Sequence, residues 1–303
     1  MKLRYIRNGK RIDLTLSFLA LPFIIYTLIF AYGPLWGWLY SIFKFVPGRS
    51  IFKSPFIGLY YFRQLFTGID FSRIMANTLA MSFLGLACSA LPMIFAILLT
   101  EIRFTFFKKS VQSITTLPYF VSWIIIYSLM LGLISRDGMI NLLLVKVGIL
   151  KQELNILGNK QIAWYFQTAM GVWKSLGWSA IIYLAAITGI DQELYDAAAI
   201  DGCGRWKGAL HVTIPGLLPV YFVLLLLSIS GILGSDIEKL FVFGNMLVID
   251  KLETIDFYAY NMGIVYQEYS YGIVVGICKS VVSLVLLFTA NNLSKYVRGY
   301  KIF

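Results

Sequence analysis

Four stretches of this chain, 14–43, 74–100, 110–135 and 208–235, contain no Asp, Glu, Lys or Arg; the last holds one ionisable side chain, His211. Each is longer than the roughly 20 apolar residues a helix needs to cross a hydrocarbon core of about 30 Å. Two further runs, 162–187 and 269–292, qualify but for one lysine each, Lys174 and Lys279. The expectation is an all-α, polytopic membrane protein with six transmembrane helices. With 59% hydrophobic and only 14% charged residues, the chain has too little charge to cover a soluble surface of this size. The spans fill a single domain over 14–294, flanked by cytoplasmic segments at 1–13 and 295–303.

The net charge of +11 does not point to nucleic acid, because no soluble basic patch is available to hold it. In a membrane protein, short basic segments mark the cytoplasmic side. Half of the Lys and Arg residues fall in four such segments, 2–11, 103–109, 205–207 and 295–301. All four lie on one side if both termini are cytoplasmic. The first outer loop also carries Lys44, Arg49, Lys53 and Arg63, but spreads them over a longer segment. Cys88, Cys203 and Cys278 form no CxxC pair, and His211 is the single histidine, so no disulfide framework, zinc site or His-based triad is expected. The first span is too long for a signal-peptide core and ends in Trp36, Trp38 and Tyr40 rather than small residues; it reads as an uncleaved helix with interfacial aromatics.

Along the chain, Pro92 sits within the second span and Pro118 near the start of the third, which predicts kinks supported by neighbouring helices. In the outer segment 136–160, Ile140, Leu143, Leu144 and Val147 recur at helical spacing and predict a short interfacial helix. The outer segment 236–268 holds six of the fifteen acidic residues. No internal repeat is visible, which counts mildly against inverted-repeat carriers.

The segment 189–215, between spans four and five, is polar and strongly patterned. Asp191 can cap a short helix with Glu193 and Asp196 near its positive end. Ala197, Ala198 and Ala199 form helix readily and leave room for another surface. Asp201-Gly202 ends that helix, because Gly202 is free to adopt positive φ. A second short helix over 205–212 follows, and Pro215 opens the next span. On physics alone, this elbow is either a well-capped loop or a docking surface.

The elbow resembles a family. Asp196-Ala197-Ala198, then Asp201-Gly202, then Thr213-Ile214-Pro215 follow the Glu-Ala-Ala…Gly…Pro pattern of permease subunits of binding-protein-dependent ABC importers. Flanking segments are similar to carbohydrate-uptake permeases of the maltose type, in the subgroup handling oligosaccharides and polysaccharide fragments: "FIGLYYFRQLF" before span two, Asn77-Thr78-Leu79, "DGMINLLLVKVG" and "IYLAAITGID". The departures are Asp196 for the usual Glu, Cys203 for Ala and Ala209 for a frequent Phe. The resemblance implies a non-enzymatic permease subunit of the cell membrane that couples to an ATPase through Asp196, Ala197, Ala198, Asp201, Gly202, Cys203, Arg205 and Pro215. It also implies a second homologous permease subunit, two cytoplasmic ATPase subunits and an extracellular substrate-binding protein, with an oligosaccharide as cargo. The chain has no Gly-x-x-x-x-Gly-Lys-Ser/Thr phosphate loop. It is therefore expected to bind no cofactor, ATP and Mg²⁺ being used by the ATPase subunits.

Lys174 and Lys279 are costly within spans unless they face protein or water. One reading places them on the substrate pathway with Trp178, one turn from Lys174, and with Ser228 and Ser235 of the region after the elbow; they would then favour anionic or heavily hydroxylated cargo. The other has them snorkel outward or pair with the partner permease. Rival functions are a permease for peptides or amino acids, an ion-coupled carrier and a membrane enzyme. A carrier usually has carboxylates within its spans, and none lies within these six; an enzyme would have to draw on Asp250, Glu253 and Asp256.

Overall fold

A computed structural model describes residues 4–7 and 10–298, with side chains from 18 to 292. The expected terminal segments 1–13 and 295–303 thus fall partly outside the described residues. Strands β1 (Arg4–Arg7) and β2 (Lys10–Asp13) pair antiparallel, Arg4 opposite Asp13, a small departure from an all-helical chain. Everything after them is helical or irregular, apart from one isolated bridge between Phe43 and Phe56.

Helix α1 (Leu14–Thr27) continues through a π turn, Leu28–Tyr32, and a 3₁₀ stretch, Gly33–Ile42. Then come α2 (Tyr60–Thr67), α3 (Ile69–Ala87), α4 (Leu91–Thr100), α5 (Thr105–Phe120), α6 (Trp123–Ile134), α7 (Met139–Lys146) and α8 (Ala163–Thr188). After α9 (Gln192–Ile200) and α10 (Arg205–Gly208), a π turn at Ala209–Thr213 leads into α11 (Ile214–Ser230). Short helices α12 (Ile237–Phe243), α13 (Ile249–Leu252) and α14 (Ile255–Tyr260) precede α15 (Tyr269–Arg298). Among the described residues, six helical stretches are long and apolar enough to cross a membrane: Phe18–Ile42, Ile69–Thr100, Trp123–Lys146, Ala163–Thr188, Arg205–Ser230 and Tyr269–Asn292.

Three details differ from the sequence expectation. The second span breaks between α3 and α4, and Pro92 falls in the first turn of α4, where a missing N–H costs nothing. The uncharged run 110–135 is cut at Val121–Ser122: α5 carries Lys108, Lys109, Gln112, Ser113, Thr115 and Thr116, so the third long apolar stretch lies further on, in α6 and α7. Pro215 stands in the first turn of α11, as expected, but that helix is not a fresh start. The chain runs helically from Arg205 to Ser230, and the π turn before Pro215 makes room for its ring and missing N–H.

The chain divides into two compact units. The first comprises 1–67 and 259–277. In it, Ser270 Oγ donates to Phe43 O (2.7 Å) and accepts from Phe45 N (3.1 Å), pinning the end of the first span to the start of α15. Gly272 lies so close to Gly263 that a Cβ there would be 2.7 Å from the Gly263 Cα. Phe18, Phe23, Phe30 and Trp36 of the first span are all exposed, as suits a helix solvated by lipid or by another subunit.

The second unit comprises 68–258 and 278–303. Helix α8 is its axis, against which α3, α4, α5 and α11 pack. Gly177 permits the α5 crossing, since a Cβ there would meet the Thr115 carbonyl at 2.3 Å. One core joins Met93, Ile97, Tyr183 and Leu217; a second, Leu240, Val248, Leu252 and Phe257; a third, Trp123, Ile126, Met170 and Phe243.

Candidate functional site

Helix α8 carries a polar and small-residue stripe, Thr168, Gly171, Ser175 and Ser179, at the three-to-four-residue spacing that keeps side chains on one face. That face, with Ser82 and Ser89 near the α3–α4 break, Tyr221 and Ser228 of α11, and the segment 231–240, encloses a cavity of about 680 Å³. Its walls are cross-linked by hydrogen bonds. Ser89 Oγ meets Tyr221 Oη at 3.1 Å, and Ser82 Oγ donates to the Ile232 carbonyl. Ser235 shares a hydroxyl bond of 2.7 Å with Thr254, and its amide donates to Asp256 Oδ2 at 2.8 Å.

Of the pathway candidates, Ser228 and Ser235 line this cavity; Lys174, Trp178 and Lys279 do not. Lys174 lies about 100° round the helix from Ser175; its ammonium donates to Val121 O at 2.6 Å and sits 4.9 Å from the centre of the Trp123 ring. Trp178 is stacked on Tyr119 at 4.7 Å, with 4° between the planes. Lys279 donates to Asp256 Oδ1 at 2.5 Å, in a pair whose side chains are 28% and 16% exposed. Both lysines are thus answered within their own chain.

Sequence reasoning missed Lys239 and Gln167. Asp236 caps α12 through the Lys239 amide and accepts the Trp123 indole N–H at 2.5 Å. The Lys239 ammonium reaches the cavity, 3.3 Å from Gln167 O and 5.7 Å from the centre of the Trp123 ring. Burial pushes its pKa below the ordinary lysine range, and the nearby Asp236 pushes it partly back. Gln167 is buried, and Gln167 Oε1 and Thr168 Oγ1 have no hydrogen-bond partner among the described residues. The α8 stripe was the available signal; Lys239 was hidden in a segment read as outer loop.

The acidic trio of that loop forms no carboxylate cluster, each member having its own cation. Asp250 pairs with Lys160 (2.8 Å), Glu253 with Arg73 (2.8 Å) and Asp256 with Lys279. The Lys160 hydrogen bond holds the Asp250 carboxyl below the usual range. Asn77 donates to the carbonyls of Asp250 (2.8 Å) and Glu253 (3.1 Å), and Thr78 accepts from Ile255 N (2.9 Å), stitching α3 to this loop.

The elbow closes as its residues predict. Asp191 Oδ1 caps α9 by accepting from Glu193 N at 3.0 Å. Gly202, at φ +74°, lets Gly202 N reach Ala199 O (3.1 Å) and Cys203 N reach Ala198 O (2.9 Å), a Schellman ending. Asp196, Ala197, Asp201 and Pro215 are exposed; Ala198 and Cys203 are half-buried. Arg205 grips Glu101, pairing with its carboxylate and donating to its carbonyl, both at 3.0 Å, while Tyr195 Oη meets Thr213 Oγ1 at 3.0 Å. Leu194, Ile200 and Trp206 remain exposed.

A polytopic helical chain with a polar cavity walled by its long apolar helices and an exposed, rigidly capped elbow defines a membrane transport subunit. Residues 93–299 match the family described as "Binding-protein-dependent transport system inner membrane component", and the chain belongs to that family. It is 38% identical over 282 residues to the polygalacturonan/rhamnogalacturonan transport system permease protein YteP of Bacillus subtilis (strain 168), covering 92% of this chain and 87% of that one. A chain in the crystal structure of a bacterial ABC transporter involved in the import of the acidic polysaccharide alginate superposes with TM-score 0.84 at 30% identity, covering 94% and 96% of the two chains. A second match, in the bacterial alginate ABC transporter in complex with alginate pentasaccharide-bound periplasmic protein, has TM-score 0.85 at 28% identity and covers 96% and 97%. The chain is therefore a multi-pass membrane permease of an ABC importer that works with a substrate-binding protein.

Proposed function

We propose that this chain forms half of the translocation pathway of an ATP-driven importer for oligosaccharides or polysaccharide fragments. The observation that carries the reading is the cavity beside α8. Its 680 Å³ falls within the range of about 300–1,000 Å³ for small-molecule sites, and hydroxyl and amide groups suited to a sugar line it. A second, homologous permease supplies the other half. Two cytoplasmic ATPase subunits hold ATP and Mg²⁺, and an extracellular binding protein delivers the cargo.

Coupling is mechanical in this reading. ATP closes the ATPase dimer, and its surface moves the elbow through Leu194, Ala197, Ile200 and the Asp201-Gly202 turn. The Arg205–Glu101 grip passes that movement to the end of the second span. Purified complex in proteoliposomes should take up a labelled oligosaccharide only when ATP and the binding protein are both supplied. Uptake driven by an ion gradient without ATP, or a purified permease pair that captures no ATPase subunit, would overturn the assignment.

A further inference from the structure

Among the described residues, Lys239 is the only Lys or Arg lining the cavity, and Asp236 its only carboxylate. Asp236 is already engaged: one oxygen takes the Trp123 indole N–H and the other faces the Lys239 backbone amide. Among the described residues, the Lys239 ammonium, with three donors, meets a single hydrogen-bond acceptor, Gln167 O at 3.3 Å, and no carboxylate approaches it within the 4.0 Å of an ion pair. Lys174 brings a second ammonium to the same indole ring. Two cations and one carboxylate therefore meet at Trp123, and one positive charge is left unmatched beside the cavity. A half-buried ammonium whose nearby carboxylate is already engaged and lies outside ion-pair range gains from an anion that arrives from outside.

The neighbouring groups have the opposite hydrogen-bonding character. Gln167 Oε1, a buried acceptor, and the buried Thr168 hydroxyl, which can accept as well as donate, have no partner among the described residues, and both residues line the cavity. Unmet acceptors call for O–H groups; an unmet ammonium calls for a carboxylate. A uronic acid carries both on one ring.

Resting on the importer reading above, we propose that the Lys239–Gln167–Thr168 corner is a uronate subsite: Lys239 binds the sugar carboxylate, Gln167 and Thr168 accept from adjacent hydroxyls, and the subsite selects acidic over neutral oligosaccharides. Lys174 and Lys279, already held by Val121 and Asp256, take no direct part.

The test uses the whole importer with its binding protein in proteoliposomes, and three probes: trigalacturonate, its methyl ester and maltotriose. The ratio of acid to ester uptake is compared between variants, so the unchanged binding protein's own selectivity cancels. Lys239→Gln should lower the ratio about tenfold or more, the worth of a charge-assisted hydrogen bond, and Lys239→Arg should keep it within about twofold. Gln167→Glu, which adds a negative charge to the same corner of the cavity, should lower it too and serves if Lys239→Gln does not assemble. A ratio unmoved by Lys239→Gln, or by Gln167→Glu where only that variant assembles, overturns the subsite. So does a wild-type importer that carries maltotriose or the ester but not the acid. If the wild type carries none of the three, the importer reading fails and the subsite with it, a result distinct from failure of the subsite alone.

Discussion

Lys279 shows how one residue's meaning depends on its partner. Asp256 answers its ammonium from an adjoining helix and also holds the Ser235 amide, so one carboxylate ties α15 to the cavity wall. Removing the lysine leaves that half-buried carboxylate without its cation, at a cost of about 2 kcal/mol. Lys279→Met should therefore lower the detergent-solubilised protein's unfolding temperature, and Lys279→Met with Asp256→Asn should recover part of the loss. Strictly additive unfolding shifts in that cycle would show that the two side chains are not coupled. Lys174 is settled differently, by a carbonyl and an indole face rather than a carboxylate.

In the proposed mechanism the elbow is the element on which coupling turns, and its glycine separates intrinsic strain from docking. Gly202 has φ +74°, a conformation that costs a residue with a Cβ about 1–2 kcal/mol. Yet a Cβ built there has no atom within 4 Å, so the subunit's own packing tolerates one. Gly202→Asp should insert in normal amount but abolish uptake, because only a docked neighbour meets the added carboxylate. Asp196→Lys should act alike, reversing an exposed charge that the structure places in the middle of α9 rather than at its N-terminus. Membrane immunoblots, uptake and binding-protein-stimulated ATP hydrolysis distinguish the cases. Wild-type coupling in both variants would remove this elbow from the transmission path.

For the whole molecule, the consequential question is orientation. From the basic segments beside the spans we propose that both termini face the cytoplasm, which puts the loop holding Asp250 outside. Single cysteines at Gly9, Gly299 and Asp250 test this; Asp250 suits labelling because its side chain is 59% exposed. An impermeant thiol reagent applied to intact cells should label Asp250→Cys and spare Gly9→Cys and Gly299→Cys. Labelling at Gly9→Cys would reverse the topology.

Hydropathy and local chemistry alone carried the six long apolar helices, the α9 cap, the Gly202 turn and the existence of a short helix at α7, because each depends on residues close together in the chain. Length without charge demands lipid, Asp191 needs only the amide two residues on, and positive φ selects glycine wherever it occurs. What tertiary structure decided was which polar groups meet across long separations. Lys239 lies 72 residues from its Gln167 contact and Lys279 lies 23 from Asp256, distances over which no periodicity operates. The lysines that stood out were those interrupting apolar runs, and the chain had already neutralised or capped them. The cation left for the cavity lay in a polar loop where one more charge was unremarked, and only packing α12 against Trp123 and α8 gave it a role.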